Sequence, residues 1–111
     1  MKLPNAKLAL VARAKITDYL LHPAHPDNGG KATFFARLGF DHGDWQTLAT
    51  ALRRLALATP VTECLETAHG RKYVLDGELE TPAGRSVRVR TVWIIDVGRK
   101  CPRFVTAYPS N

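Results

Sequence analysis

The sequence predicts an α+β fold, with about three N-terminal helices packed on one face of a four-stranded antiparallel sheet. Two observations carry this. Residues 15–58 repeat apolar side chains at spacings of three and four, whereas residues 61–109 alternate with a period of two. The helical pattern comes first and the strand pattern second, while parallel βαβ units would interleave them. At 111 residues the chain has the length of one domain. It therefore reads as a single domain over 1–111, a helical layer at 1–60 carrying a meander at 61–109. With 45% hydrophobic residues there is enough apolar surface for a core, which excludes disorder over most of the chain.

Ile16, Tyr19 and Leu20 have the spacing of one helix face and predict a short helix over 15–21. It must stop before His22-Pro23-Ala24-His25-Pro26, because a residue preceding proline avoids the helical region. Asp27-Asn28-Gly29-Gly30 is a loop signal. Lys31 opens a second helix whose apolar side is Phe34, Phe35, Leu38 and Phe40, with Gly39 as its C-cap. Trp45, Leu48, Ala49, Leu52, Leu55 and Ala56 form the stripe of a third. Asp41 or Asp44 can cap its start, and Pro60 stops it.

Beyond Pro60 the period changes. Strands over 61–68 and 71–79 flank a His69-Gly70 hairpin turn. Thr81-Pro82-Ala83-Gly84 makes a second turn. In the next strand Val87, Val89, Thr91, Trp93 and Ile95 alternate with Arg88, Arg90, Val92, Ile94 and Asp96. Its second half is apolar on both faces, as expected of a central strand. A turn over 98–102 leads to a last strand over 103–108.

Lys and Arg number 16 against 10 Asp and Glu, a net charge of +6 spread along the chain rather than gathered in a tail. This permits a polyanionic partner without requiring one. No apolar run approaches the roughly 18 residues of a membrane helix, so no membrane role is expected. Cys64 and Cys101 are too few for a disulfide framework and too far apart for a zinc knuckle. Each sits beside apolar residues and reads as a packing side chain. A reduced, cytoplasmic site of action is the default, and delivery within a longer exported polypeptide is compatible with it.

The helices can cover only one sheet face. Lys72, Arg88 and Arg90 fall on the other, a basic face suited to phosphate. The same residues would equally serve to keep an open sheet from aggregating. Histidine as a residue type can take or give a proton, which makes His25 a candidate for that role. Lys31, after Gly29-Gly30, can contribute to a local anion site, although the spacing is not that of a phosphate-binding loop. His22, His25, His42 and His69 lie on different loops without metal-ligand spacing, so neither metal nor cofactor is expected. Tyr73 and Tyr108 can pack, stack on a base or donate a proton. Taken singly, each of these residues has an ordinary structural explanation.

Several segments taken together carry a resemblance. Lys2-Leu3-Pro4-Asn5-Ala6, Asp18-Tyr19-Leu20-Leu21, His25-Pro26 with Gly29-Gly30-Lys31-Ala32, Phe34-Phe35 with Leu38-Gly39-Phe40, Arg90-Thr91-Val92-Trp93-Ile94-Ile95 and Val105-Thr106-Ala107-Tyr108-Pro109 resemble a family of small bacterial domains of unassigned function. The resemblance spans nearly the whole chain in order. Beginning at Met1, the sequence looks like a free-standing member. It departs at Ala12, where an aspartate helix cap is expected. Members of that family also form terminal domains of large secreted proteins, similar to the toxin tips of polymorphic and contact-dependent systems. The order of helices and strands further resembles the barnase/EndoU/colicin/RelE-like ribonuclease superfold.

That resemblance implies a metal-independent endoribonuclease, transfer RNA being one candidate substrate, with a small acidic antitoxin or immunity protein as partner. For that chemistry, side-chain type and predicted placement rather than a family motif make His25 the candidate base or acid, Lys31 and Arg90 the phosphate clamp, and Thr106 and Tyr108 hydrogen-bond donors to a phosphate oxygen. Lys72 and Arg88 would extend the electrostatic track. Two other function classes stay open. A non-catalytic partner-binding module would expose an apolar patch, expected near residues 34–40. A nucleic-acid binder without catalysis would need a continuous basic face, and the third helix offers only Arg53 and Arg54 for such contacts.

Overall fold

The computed structural model describes residues 1–26 and 30–110. Of the loop expected at Asp27-Asn28-Gly29-Gly30, all but Gly30 lies outside the described residues. Helix α1 spans Arg13–Lys15 and runs into a π turn at Ile16–Leu20. Helix α2 spans Lys31–Arg37 and α3 spans Trp45–Ala58. Single 3-10 turns occupy Ala6–Leu8 and His42–Asp44. The strand-rich C-terminal half holds β1 (Glu63–Thr67), β2 (Gly70–Glu80), β3 (Ser86–Asp96) and β4 (Arg103–Pro109). They form a four-stranded antiparallel sheet in the order β1-β2-β3-β4.

The core is one cluster between the helices and the face of the sheet that carries Tyr73, Leu75, Leu79, Val89, Trp93, Phe104 and Ala107. Trp93 is its centre. The ring is fully buried and stands edge-on to Phe104 at 5.3 Å. Its indole N–H donates to Thr91 Oγ1 at 2.9 Å, and that hydroxyl donates to the Leu75 carbonyl. Both polar groups of the central strand are thus satisfied inside the core. Helix α3 buries Leu48, Ala49, Leu52, Leu55 and Ala56, the expected stripe, and lies across β2. Gly77 permits this approach. A Cβ there would stand 3.0 Å from Thr59 Cγ2 and 3.2 Å from Leu55 Cγ.

Local sequence accounts for the departures from expectation. The first helix is not a single α-helix over 15–21. Ala12 supplies no side-chain cap, and the Thr17 hydroxyl donates to the Arg13 carbonyl at 3.2 Å, competing with the helical ladder. The chain closes instead with an i to i+5 bond from Leu21 N–H to the Ile16 carbonyl. Asp41 caps the 3-10 turn before α3 by accepting from Gly43 N–H, and Asp44 accepts from the Thr47 hydroxyl. Cys64 is exposed on edge strand β1 rather than packed, because β1 has no helix over it. It and Cys101 are both free thiols. The Phe34–Phe40 region exposes no apolar patch, since Phe35, Leu38 and Phe40 are buried and Phe34 packs partly against the core.

The first ten residues act as a strap, a role their pattern did not announce. The Lys2 ammonium donates to the Ala58 carbonyl at 2.9 Å, closing the C-terminus of α3. Leu10 pairs in parallel with Arg103 and exchanges backbone bonds with Pro102 and Phe104. This covers the start of edge strand β4. Between Val92 and Trp93 the β3–β4 register shifts, leaving Val105 as a bulge. The extra residue lets Phe104 and Ala107 both face the core while Thr106 and Tyr108 face outward.

Replacing Gly77 by alanine is expected to push α3 off β2 and to cost about 1–3 kcal/mol in urea unfolding. Wild-type stability in that variant would contradict the close packing described.

Candidate active site at the outer edge of the sheet

Strand β4 is the outer strand, and Thr106 and Tyr108 lie on its open face opposite Val92 and Arg90. The π turn brings Tyr19 to the same place. Ile16 and Leu20 are buried on its inner side, which leaves the half-buried Tyr19 ring at the margin. Its hydroxyl lies 3.0 Å from Thr106 Oγ1. Lys31, the first residue of α2, completes a triangle. Its ammonium donates to the Tyr19 hydroxyl at 2.5 Å and to Thr106 Oγ1 at 3.0 Å. The same ammonium stands 4.9 Å from the Tyr19 ring centroid and 5.7 Å from that of Tyr108. No carboxylate among the described residues pairs with it. The charge is held by two hydroxyls instead, with the Tyr108 ring beside it.

His25 joins this group through Tyr19, its ring edge-on at 5.2 Å. The His22 ring is 6.4 Å further on and accepts from the Ala24 N–H. Arg90 joins through Tyr108, its cross-strand neighbour. Its guanidinium forms a bidentate pair with Asp76 on β2, at 2.7 and 2.8 Å. A shallow depression of about 320 Å³ opens here, lined by Asp76, Arg88, Arg90, Tyr108, Pro109 and Ser110.

Of the residues expected from sequence, the fold brings His25, Lys31, Thr106, Tyr108 and Arg90 into one continuous cluster. Arg88 borders it and makes only a long contact of 3.9 Å with Glu78. Lys72 does not join. It sits four residues before Asp76 on β2, roughly 13 Å along the strand, across from Ile94. Among the described residues no group of three His, Cys, Asp or Glu side chains could hold a metal ion. His42 is placed elsewhere, its Nε2 bonded to the Thr17 carbonyl. Asp96 pairs with Arg103 in a bidentate contact at the far end of β3.

Sequence reasoning missed Tyr19 and Asp76. Tyr19 was absorbed into a helical stripe with Ile16 and Leu20. The available signal was its polar tip at the edge of that stripe, beside Lys15 and Asp18. Asp76 could have been found by register, because the turn at residues 81–84 sets Glu78 opposite Arg88 and Asp76 opposite Arg90.

The electrostatics follow from these contacts. Burial pushes the Tyr19 hydroxyl up, but its hydrogen bonds with Lys31 and Thr106 and the charges of Lys31 and Lys15 outweigh burial. The net position is below the ordinary 10.0. The Arg90 hydrogen bonds hold the Asp76 carboxyl below the usual range, against its partial burial. Asp76 in turn keeps Arg90 firmly charged, with Tyr108 adding to the effect. The edge therefore presents two fixed cations, a tyrosine hydroxyl whose pKa is lowered and an imidazole. Together these can bind an anion and move protons beside it.

Replacing Lys31 by methionine removes the bond and the charge that favour tyrosinate while burial remains. The Tyr19 pKa is expected to rise in that variant, read from the ring carbon beside the hydroxyl in a carbon-13 titration. An unchanged titration would contradict the assignment.

Residues 2–111 match the family model described as a domain of unknown function, DUF6883, and the chain belongs to that family. No curated protein matches the sequence significantly. Among solved structures, a chain of a contact-dependent growth inhibition toxin–immunity protein complex from Klebsiella pneumoniae 342 has a similar fold. The TM-score is 0.74 at 16% identity, over 96% of this chain and 97% of that chain.

Proposed function

We propose that this DUF6883 domain is the ribonuclease of a toxin–immunity system, cutting RNA without a metal by attack of the ribose 2′-hydroxyl on the adjacent phosphate. The observation that carries the reading is the convergence of Tyr19, His25, Lys31, Thr106 and Tyr108 at one sheet edge. The likeness in fold to a chain of a toxin–immunity complex supports the biological setting. Its place of work is then the cytoplasm of the cell whose RNA it cuts.

In this reading the His25 imidazole takes the 2′-hydroxyl proton, and the oxygen attacks phosphorus. Charge grows on the phosphate oxygens, where the Lys31 ammonium and the Arg90 guanidinium offset it and the Thr106 hydroxyl donates a hydrogen bond. The bond to the 5′-oxygen breaks as Tyr19 gives it a proton. The products are a 2′,3′-cyclic phosphate and a free 5′-hydroxyl. Lys31, bonded to the Tyr19 oxygen, stabilises the tyrosinate left behind. DNA lacks the nucleophile and is not cut.

A second reading, a non-catalytic module that binds an acidic partner, draws on a different surface. Leu8 and Leu10 are 59% and 60% exposed and lie in a groove of about 700 Å³ with Lys7, Lys15, Arg53 and Arg103. Such a surface also suits an inhibitor that binds beside the active edge.

The test is induced expression with total and transfer RNA examined on a gel. Wild type should be toxic and give discrete cuts ending in cyclic phosphate, lost in His25→Ala and Arg90→Ala. In purified protein, Tyr19→Phe and Lys31→Ala should each slow cleavage by about 10²-fold or more. Because Tyr19 must keep its proton to act as the acid, the rate should fall on the alkaline side before pH 10.0. Intact RNA under clear toxicity would reject the ribonuclease.

A further inference from the structure

A second groove, of about 690 Å³, runs between α2 and the start of β3. Strand β4 ends at Pro109 opposite Val89, so β3 projects beyond it over residues 86–88. Helix α2 lies alongside that projection. The floor is apolar, made by Phe34, Leu38 and Val87. Phe34 is half-buried, braced edge-on against Phe35 at 5.0 Å. The walls carry Arg37 from α2, Arg85 from the turn just before β3 and Arg88 from β3. Among the described residues neither Arg37 nor Arg85 has a carboxylate partner, and Arg88 has only its 3.9 Å contact with Glu78. The groove contains Gly30, the neighbour of Lys31, and shares Arg88 with the depression that holds Arg90 and Tyr108.

We infer that this groove binds the single strand flanking the scissile phosphate, one base on the Phe34 ring and successive phosphates on Arg37, Arg85 and Arg88. The inference deepens the ribonuclease reading and rests on it for the identity of the polymer. A half-buried ring between cations matches the alternation of base and phosphate along one strand. A duplex hides its base faces and could offer only its phosphates. An acidic peptide would match the cations but would have no use for the aromatic floor. The track of charge thus runs from Arg90 through Arg88 toward Arg37, away from Lys72.

The experiment measures binding of the full chain to a fluorescent eight-nucleotide single-stranded DNA, which lacks the 2′-hydroxyl and survives. The same sequence as a duplex is the comparison. Wild type should bind the single strand more tightly than the duplex. The variant Arg37→Gln/Arg85→Gln should lose at least tenfold in affinity, and its salt slope should fall by about 1.4 in magnitude. Phe34→Leu should weaken binding roughly tenfold with the slope unchanged. The two arginines are surface side chains, so their variant decides the matter if Phe34→Leu proves unstable. Wild-type binding by the arginine variant, a preference for duplex, or no binding by wild type would overturn the groove. Loss of binding in the variants of a chain that cuts no RNA would leave the groove standing and sink the ribonuclease.

Discussion

A lysine ammonium held by a tyrosine and a threonine hydroxyl is the interaction on which the outer edge of this sheet depends. Removing such a charge partly from water is unfavourable unless donors and opposing charge replace the lost hydration. Here the Tyr19 and Thr106 hydroxyls accept two of its hydrogens, and the Tyr108 ring lies 5.7 Å away. Contacts of an ammonium with an aromatic face are worth about 0.5–2 kcal/mol, depending on desolvation. Lys31 brings to this edge a positive charge of the kind that an anion can satisfy. Arg90, two residues along β3 from Val92, is tied to Asp76 and so fixed in direction.

Three features of the backbone hold Lys31, Tyr19 and Thr106 in reach of one another, and each is an irregularity. The π turn at Ile16–Leu20 buries Ile16 and Leu20 while leaving Tyr19 at the rim. The bulge at Val105 turns Phe104 into the core against Trp93 and Thr106 outward. The left-handed Gly30, at φ 84°, sets the start of α2 and with it Lys31. Local departures from regular helix and strand are costly unless the surroundings compensate. The compensation lies directly beneath, in the Trp93, Phe104 and Thr91 packing of the central strands. The N-terminal strap adds to it by pairing Leu10 with Arg103 at the start of β4.

The regular parts of this architecture were legible in the sequence because they repeat. Val87, Val89, Thr91 and Trp93 alternate with Arg88, Arg90 and Val92, which fixed the faces of β3. The stripe from Leu48 to Ala56 fixed the buried side of α3. Thr106 and Tyr108 were legible as polar side chains of the last strand, although the bulge at Val105 is what separates their face from that of Phe104, and Lys31 was legible from its position at a helix start. What escaped depends on contacts distant in sequence or on irregular backbone. Tyr19 has the spacing of a core residue, and only the π turn and the arrival of Lys31 and Thr106 give its hydroxyl a role. Asp76 is one acidic residue among several on β2 until register sets it against Arg90. The exposure of Cys64 reflects a β1 edge that no helix reaches, which local apolar neighbours could not reveal. The basic groove of Arg37, Arg85 and Arg88 joins residues about fifty positions apart and has no local signature.

The central claim is that Lys31 and Tyr19 form one phosphate-binding unit. It is tested most directly by titrating the protein with an uncleavable 2′-O-methyl dinucleotide while following the Lys31 ammonium nitrogen and the Tyr19 ring carbon by NMR. The account predicts that both signals move together and saturate at the same ligand concentration, with Thr106 following. Saturable binding that shifts residues elsewhere and leaves Lys31 and Tyr19 still would contradict it.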